Sequence, residues 1–238
     1  GFSQITYRVI PNNIYGKPKQ KNIIWKGFKE LQLVFKEFRG IKRLRRYLTA
    51  FFFFNTGVQT VMLMAVLYAK REIFVGEYAE EGQSGLIIAI LLIQILGAVG
   101  AFLLSRLSGI IGNLKSLILV VAFWVPLCVM AYFISQPTMF YLLASGVGLV
   151  MGGVQALSRS TYSKFLPETQ DLASYFSFYD VTEKIGIVLG TFFFGFMEFI
   201  TGDIRSSILS VVFFFSVGFI LLFFVPSEKN KTKEVVTA

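Results

Sequence analysis

Six apolar runs follow one another along this sequence, and each is long enough to cross a lipid bilayer as a helix. A helix rises about 1.5 Å per residue, so roughly 20 residues span a hydrocarbon core of about 30 Å. Charged residues, glycine or proline separate the runs, which occupy residues 46–69, 85–107, 115–134, 139–158, 175–199 and 206–225. The sequence therefore predicts an all-α membrane protein with six transmembrane helices in a domain at residues 46–226.

Basic residues indicate which ends of the spans face the cytoplasm. Of the 23 lysines and arginines, 12 lie in the first 46 residues, and most of the others lie in connections on the same side. The opposite connections contain only Lys70, Arg71 and Arg205. Because basic loops stay in the cytoplasm, both termini, including a tail at 227–238, are predicted to be cytoplasmic. We expect a multi-pass protein of a bacterial inner membrane.

The first 45 residues form a basic linker ahead of the first span. Between residues 22 and 39, apolar residues recur every three or four positions, with basic and acidic residues between them. This periodicity is typical of an amphipathic helix. We expect the helix to lie on the cytoplasmic membrane surface, where anionic lipids attract basic residues. A membrane partner accounts for the basic cluster, so we expect no nucleic-acid partner.

The composition excludes most enzyme chemistry. The sequence has no His, so no imidazole is present to ligate zinc or haem, or to activate a Ser or Cys nucleophile. The single Cys128 lies within an apolar run, where a free Cys usually packs as a small hydrophobic residue. We therefore expect a protein that is not an enzyme and that has no cofactor or metal site.

Small residues recur at every fourth position on one face of two spans. In the fourth span these positions are 144, 148, 152, 156 and 160, and in the second they are 97, 101, 105 and 109. A neighbouring helix can approach such a face closely. Two interpretations stay open, which are tight static packing and a smooth contact along which helices slide during a conformational cycle.

Polar side chains inside the apolar runs mark a candidate pathway for a solute or ion. A charge near the centre of a membrane helix costs about 2.5–3.5 kcal/mol, so such residues usually face a cavity or a partner. Asp180 and Lys184 are four residues apart and are predicted to pair, which leaves Arg159 as the nearest partner for Glu183. The alternatives are a structural ion-pair network and a coupling role. The candidate pathway residues are Asn55, Gln59, Gln155, Arg159, Asp180, Glu183 and Lys184.

Three segments carry a resemblance to a known family. Residues 54–61 (FNTGVQTV), 152–160 (GGVQALSRS) and 175–180 (YFSFYD) resemble motifs of helices seven, ten and eleven in major facilitator transporters related to the vacuolar amino-acid effluxers of autophagy. The segments occur in the family's order and spacing, and the resemblance covers about residues 22–225. It implies that the six spans are the carboxy-terminal half of a twelve-helix fold.

The sequence departs from the family pattern at two places. Thr56 stands where the family has Asp, so we expect any proton-carrying role to have moved to Asp180 or Glu183. The loop at 105–115 keeps Lys115, but Gly109 and Ile110 replace the Asp and Arg of the superfamily's motif. We therefore expect no gating charge pair at this loop.

The resemblance implies a secondary active transporter that moves a small solute by alternating access, with proton coupling and with amino acids as the suggested substrates. Its expected partners are the lipid bilayer, a small-molecule substrate and a missing amino-terminal six-helix half. Because the chain begins at Gly1, we expect it to be a fragment that does not transport alone. The alternative is a non-transporting membrane scaffold or sensor that docks a cytoplasmic partner through its basic arm.

Overall fold

The computed structural model describes residues 40–167 and 172–226, together with Gly27, Gln32 and residues 34–36. Within these residues the chain forms six long helices and no strands. The helices are α1 (Lys42–Tyr68), α2 (Gly82–Ile111), α3 (Asn113–Phe133), α4 (Pro137–Phe165), α5 (Leu172–Thr201) and α6 (Ile204–Phe223). Each is long and apolar enough to cross a membrane. The predicted all-α fold with six such helices is confirmed.

The predicted cytoplasmic segments lie largely outside the described residues. The amphipathic helix expected at 22–39 has only five described residues, all of them helical, and it stays a prediction. The tail at 227–238 is not among the described residues. The cytoplasmic location of both termini likewise stays a prediction.

The helix ends follow local signals in the sequence. Pro126 does not end α3, because the helix continues past it and membrane helices tolerate an internal proline. Gly112 and Gly202 have φ angles of 90° and 70°, which residues with a Cβ rarely adopt, so glycine makes the short turns before α3 and α6. The Asp203 carboxylate caps α6 by accepting hydrogen bonds from the backbone N–H groups of Arg205 and Ser206.

The first helix does not stop at the predicted end of its span. A π-helical turn, Ala69–Ile73, follows α1 directly, and a 3₁₀ helix, Gly76–Tyr78, lies in the same connection. The turn contains Arg71, which pairs with Glu198 of α5, and Glu72, which pairs with Arg205 of α6. These two ion pairs fasten the end of α1 to its two neighbours.

The closest helix contact joins α2 to α4 along the faces of small residues. A Cβ added at Gly100 would lie 1.9 Å from the carbonyl oxygen of Leu149, and one at Gly152 would lie 2.0 Å from that of Gly97. No side chain fits at these positions, so glycine permits the backbone contact. At Gly109, by contrast, a Cβ would meet nothing within 4 Å. The close approach therefore uses only part of the predicted face.

Helix α1 lies against both α5 and α6. A Cβ at Gly218 of α6 would lie 2.6 Å from the backbone nitrogen of Phe54, and one at Gly190 of α5 would lie 2.0 Å from the hydroxyl oxygen of Thr60. Nearby, the buried rings of Trp124 and Phe215 stack with centroids 4.8 Å apart. This packing fixes the rotation of α1 and thereby the direction of its polar residues.

Candidate functional site

A polar cavity lies between α1, α4 and α5, with a volume of about 140 Å³. Asn55 lies 13 residues after the start of α1 at Lys42, which places it about 20 Å along the helix axis. Charged groups at such a depth usually face a cavity or a partner, whereas amides can also bond across helices. The cavity is lined by Phe54, Asn55 and Gln59 of α1, Val154, Gln155, Ser158 and Arg159 of α4, and Tyr179 and Glu183 of α5.

The structure brings the sequence-predicted pathway residues together. Five of the seven line the polar cavity, and they are Asn55, Gln59, Gln155, Arg159 and Glu183. The other two, Asp180 and Lys184, adjoin it through ion pairs with residues that line it. Three separate helices thus contribute to one group of polar side chains.

The ion pairs differ from those predicted. Instead of pairing with Lys184 along α5, Asp180 pairs with Arg159 of α4, with Nη2 and Oδ1 3.3 Å apart. Lys184 pairs with the adjacent Glu183 at 3.6 Å, and its own side chain is 71% exposed. The expected Asp180–Lys184 pair and the expected Arg159–Glu183 pair are therefore wrong. The reason is that the long Arg159 side chain extends from α4 to Asp180 on α5, which the spacing along α5 alone does not reveal.

Asn55 lines the polar cavity and has an unpaired hydrogen-bond donor. The residue is 6% exposed, and its side-chain Nδ2 has no hydrogen-bond partner among the described residues. Leaving a buried polar group unpaired costs about 1–3 kcal/mol, so this donor would gain by binding a partner that reaches it. Asn55 lines the polar cavity, so a small rotation of its side chain would bring Nδ2 to a solute or a water molecule there.

Aromatic residues form one wall of the cavity. Tyr179 is buried and stacks on Phe51 with ring centroids 4.2 Å apart, and the guanidinium of Arg159 lies 5.6 Å from the Tyr179 ring centroid. On the same side, the Tyr47 hydroxyl donates to the backbone carbonyl of Ser158 at 2.7 Å. These contacts hold the α4 segment that contains Gln155 and Arg159.

Sequence reasoning missed four lining residues, namely Phe54, Val154, Ser158 and Tyr179. A usable signal was present for two of them. Tyr179 precedes Glu183 by four residues and Ser158 follows Gln155 by three, and both spacings place side chains on one helix face. Each therefore shares a face with a residue that was identified.

Thr56, where the family pattern has Asp, does not line the polar cavity. It is fully buried, and its hydroxyl donates to the backbone carbonyl of Phe52 at 2.6 Å. A Cβ added at Gly186 of α5 would lie 2.7 Å from the Thr56 hydroxyl oxygen. Thr56 therefore serves the contact between α1 and α5.

Hydrogen-bonding and charged side chains line the polar cavity. Within the part of the chain that the structure describes, no group of three or more His, Cys, Asp or Glu residues could hold a metal ion. The polar cavity offers amides, one guanidinium and one carboxylate. Such groups bind polar and charged organic solutes through hydrogen bonds.

The sequence is similar to known transporters. Residues 1–235 match the family model described as "Vacuole effluxer Atg22 like". The chain is 29% identical over 212 residues to the uncharacterized MFS-type transporter YxiO of Bacillus subtilis, which covers 89% of this chain and 48% of that protein. It is 30% identical over 207 residues to autophagy-related protein 22 of Yarrowia lipolytica, covering 82% of this chain and 34% of that protein.

The fold is similar to that of a solved transporter. The crystal structure of the E. coli fucose:proton symporter FucP matches 95% of this chain and 52% of its own, with a TM-score of 0.66 and 19% sequence identity. The chain thus spans between about a third and a half of the length of these relatives. With six membrane helices and a family match over nearly its whole length, the chain belongs to the Atg22-like vacuole effluxer family of major facilitator transporters.

Proposed function

We propose that this chain is the carboxy-terminal half of a secondary active transporter that moves a small polar solute by alternating access. The observation that carries the proposal is the polar cavity with the unpaired amide of Asn55. An unpaired donor at a cavity within an apolar bundle supports a binding role, because a purely structural amide would bond to a neighbouring helix.

The proposed solute is a zwitterion of the amino-acid class. Arg159 supplies a cation that can bind a carboxylate through two hydrogen bonds, and Glu183 supplies an anion for an ammonium group. Both residues line the same cavity, and the amides of Asn55 and Gln59 can bond to either end of the solute. A solute with one charge of each sign matches this set of groups, and the family described as vacuole effluxers is compatible with it.

The proposed coupling ion is the proton, and Glu183 is the proposed carrier. Its side chain is 18% exposed and lines the polar cavity, whereas the Asp180 side chain is 54% exposed and pairs with Arg159. A carboxylate that faces the solute and has little water around it can couple protonation to binding. We therefore assign proton transfer to Glu183 before Asp180, and no enzymatic role to either.

The second half of the transporter is proposed to cover the open side of the cavity. Gln155, Arg159 and Asp180 are exposed in this chain, although they lie within helices long enough to span the membrane. Charged groups do not face lipid at this depth without a large cost. A matching six-helix half would shield them and complete the solute site. We place the protein in a bacterial inner membrane, with the termini of this half in the cytoplasm.

The test uses the full-length protein reconstituted in liposomes, with counterflow of radiolabelled amino acids as the readout. We expect counterflow in the wild type and a loss of about tenfold in Asn55→Leu, since one hydrogen bond to a charged group is worth about 1.5–3 kcal/mol. Gln94→Leu is the matched control, because Gln94 is an amide of α2 outside the polar cavity. If the two variants behave alike, or if no amino acid is exchanged, the proposed function is wrong and the scaffold alternative gains support.

A further inference from the structure

The first turn of α1 meets the last turn of α6 at one end of the bundle. Arg46 Nη1 donates a hydrogen bond to the backbone carbonyl of Phe224 at 3.2 Å. Lys42, Arg45 and Arg46 are exposed, and their spacing places them on one face of α1. We call these three residues the α1/α6 basic patch.

An apolar stripe on α6 leads away from this patch into the membrane. Phe213, Ile220 and Phe224 are 59%, 55% and 62% exposed, and spacings of seven and four residues place them on one helix face. From Phe213 to Phe224 the stripe covers 11 residues, about 16 Å along the axis. This length is close to half of a hydrocarbon core of about 30 Å, which is the depth of one bilayer leaflet.

We propose that the α1/α6 basic patch and the apolar stripe together bind one anionic phospholipid. The lipid phosphate lies against Lys42, Arg45 and Arg46, and an acyl chain lies along Phe213, Ile220 and Phe224. Three cations on one face favour an anionic headgroup over a zwitterionic one, since each basic residue near a membrane surface gains from negative lipid charge. The apolar stripe beside the patch favours a lipid over a soluble anion.

The lipid would bridge two helices from different parts of the sequence. Arg46 uses one of its five N–H donors on the Phe224 carbonyl, so its guanidinium can join the end of α6 to the phosphate. Arg43, on another face of the same turn, lies over the Phe165 ring of α4 at 3.8 Å. The lipid site would therefore form at a turn that already ties α1 to α4 and α6.

Native mass spectrometry of the full-length protein tests this proposal, with phosphatidylglycerol and phosphatidylcholine as the lipid probes. We expect the wild type to prefer phosphatidylglycerol, and Lys42→Gln/Arg45→Gln to weaken that binding about thirtyfold, or about fivefold per charge. Arg46 is left unchanged because it also caps α6. The control is Arg106→Gln/Lys115→Gln, which removes one charge near the end of α2 and one near the start of α3. This double variant should leave the preference intact.

Three results would overturn the proposal. They are equal losses in the two double variants, equal affinity of the wild type for both lipids, and displacement of phosphatidylglycerol by millimolar inorganic phosphate. A salt titration of the wild type keeps the test decisive if a double variant does not fold. The preference for phosphatidylglycerol should fall as ionic strength rises. A preference that does not change with salt concentration would contradict a site that binds the headgroup by charge.

Discussion

Arg159 of α4 and Asp180 of α5 form an ion pair beside the polar cavity, with Nη2 and Oδ1 3.3 Å apart. Their side chains are 59% and 54% exposed, although both residues lie within long apolar helices. An exposed pair contributes little to stability in water, typically about 0–1 kcal/mol. Because the pair lies beside the polar cavity, we propose that it has a functional role, in which a substrate carboxylate competes with Asp180 for the guanidinium.

Substitutions at the two partners should shift substrate affinity in opposite directions. Asp180→Asn removes the competing carboxylate, so we expect a several-fold lower KM for amino-acid counterflow. Arg159→Gln removes the cation that binds the substrate carboxylate, and we expect KM to rise by about tenfold or more, as for loss of a charged hydrogen bond. Shifts of the same sign in both variants would indicate that the pair only holds α4 against α5.

Glu183→Gln should separate exchange from proton-driven accumulation. The neutral amide can keep hydrogen bonds in the polar cavity but cannot release a proton. We expect counterflow at saturating substrate to persist, with a KM about tenfold higher because the ammonium group loses its anionic partner, while accumulation driven by a pH gradient is lost. Glu77→Gln, an exposed carboxylate in the 3₁₀ helix, is the control. If accumulation persists in Glu183→Gln, a group other than Glu183 carries the proton.

A methyl group at the α2–α4 contact should destabilise the bundle. The Cβ of Gly100→Ala would lie 1.9 Å from the Leu149 carbonyl oxygen, so the backbones must separate at a cost of about 1–3 kcal/mol for overpacking. Gly109→Ala is the matched control on the same helix, since its Cβ would meet nothing within 4 Å. We expect a lower thermal unfolding midpoint in detergent for Gly100→Ala alone. Equal midpoints would mean that α4 can move away without loss.

The six helices could be predicted from the sequence because hydropathy and span length are properties of single segments. Even so, α1 continues into a π-helical turn past residue 69. The ion pairs of Arg71 with Glu198 and of Glu72 with Arg205 hold that turn. The partners in these ion pairs are 127 and 133 residues apart in the sequence. The local hydropathy pattern therefore could not predict them.

The candidate site was predictable to the extent that its residues share helix faces. Asn55 and Gln59 are four residues apart and line one cavity, as the spacing indicates. The ion pairs were not predictable, because the choice of Asp180 as partner for Arg159 depends on how α4 and α5 are rotated against each other. Each of these helices is also held by another one, α4 by α2 at Gly152 and α5 by α1 at Gly186, and one sequence does not show which face meets which helix.

The N-terminal cap of α6 should make stability depend on pH through Asp203, which lies between α5 and α6. Hydrogen bonds from the backbone N–H of Arg205 and from Ser206 lower the pKa of Asp203 below its usual value. The stabilisation by the ionised carboxylate is thus present above the unfolded pKa of about 3.9 and is lost as pH falls through the lower folded value. Asp203→Ala removes the cap and should cost about 0.5–2 kcal/mol at neutral pH.

Asp203→Asn retains a capping oxygen without the charge, so its unfolding midpoint in detergent should differ from wild type by a constant amount at neutral pH. That difference should shrink only below about pH 4. A difference that stays constant to pH 3 would show that the charge of the carboxylate is not its cause. A wild-type midpoint for Asp203→Ala would show that the cap contributes nothing to the fold.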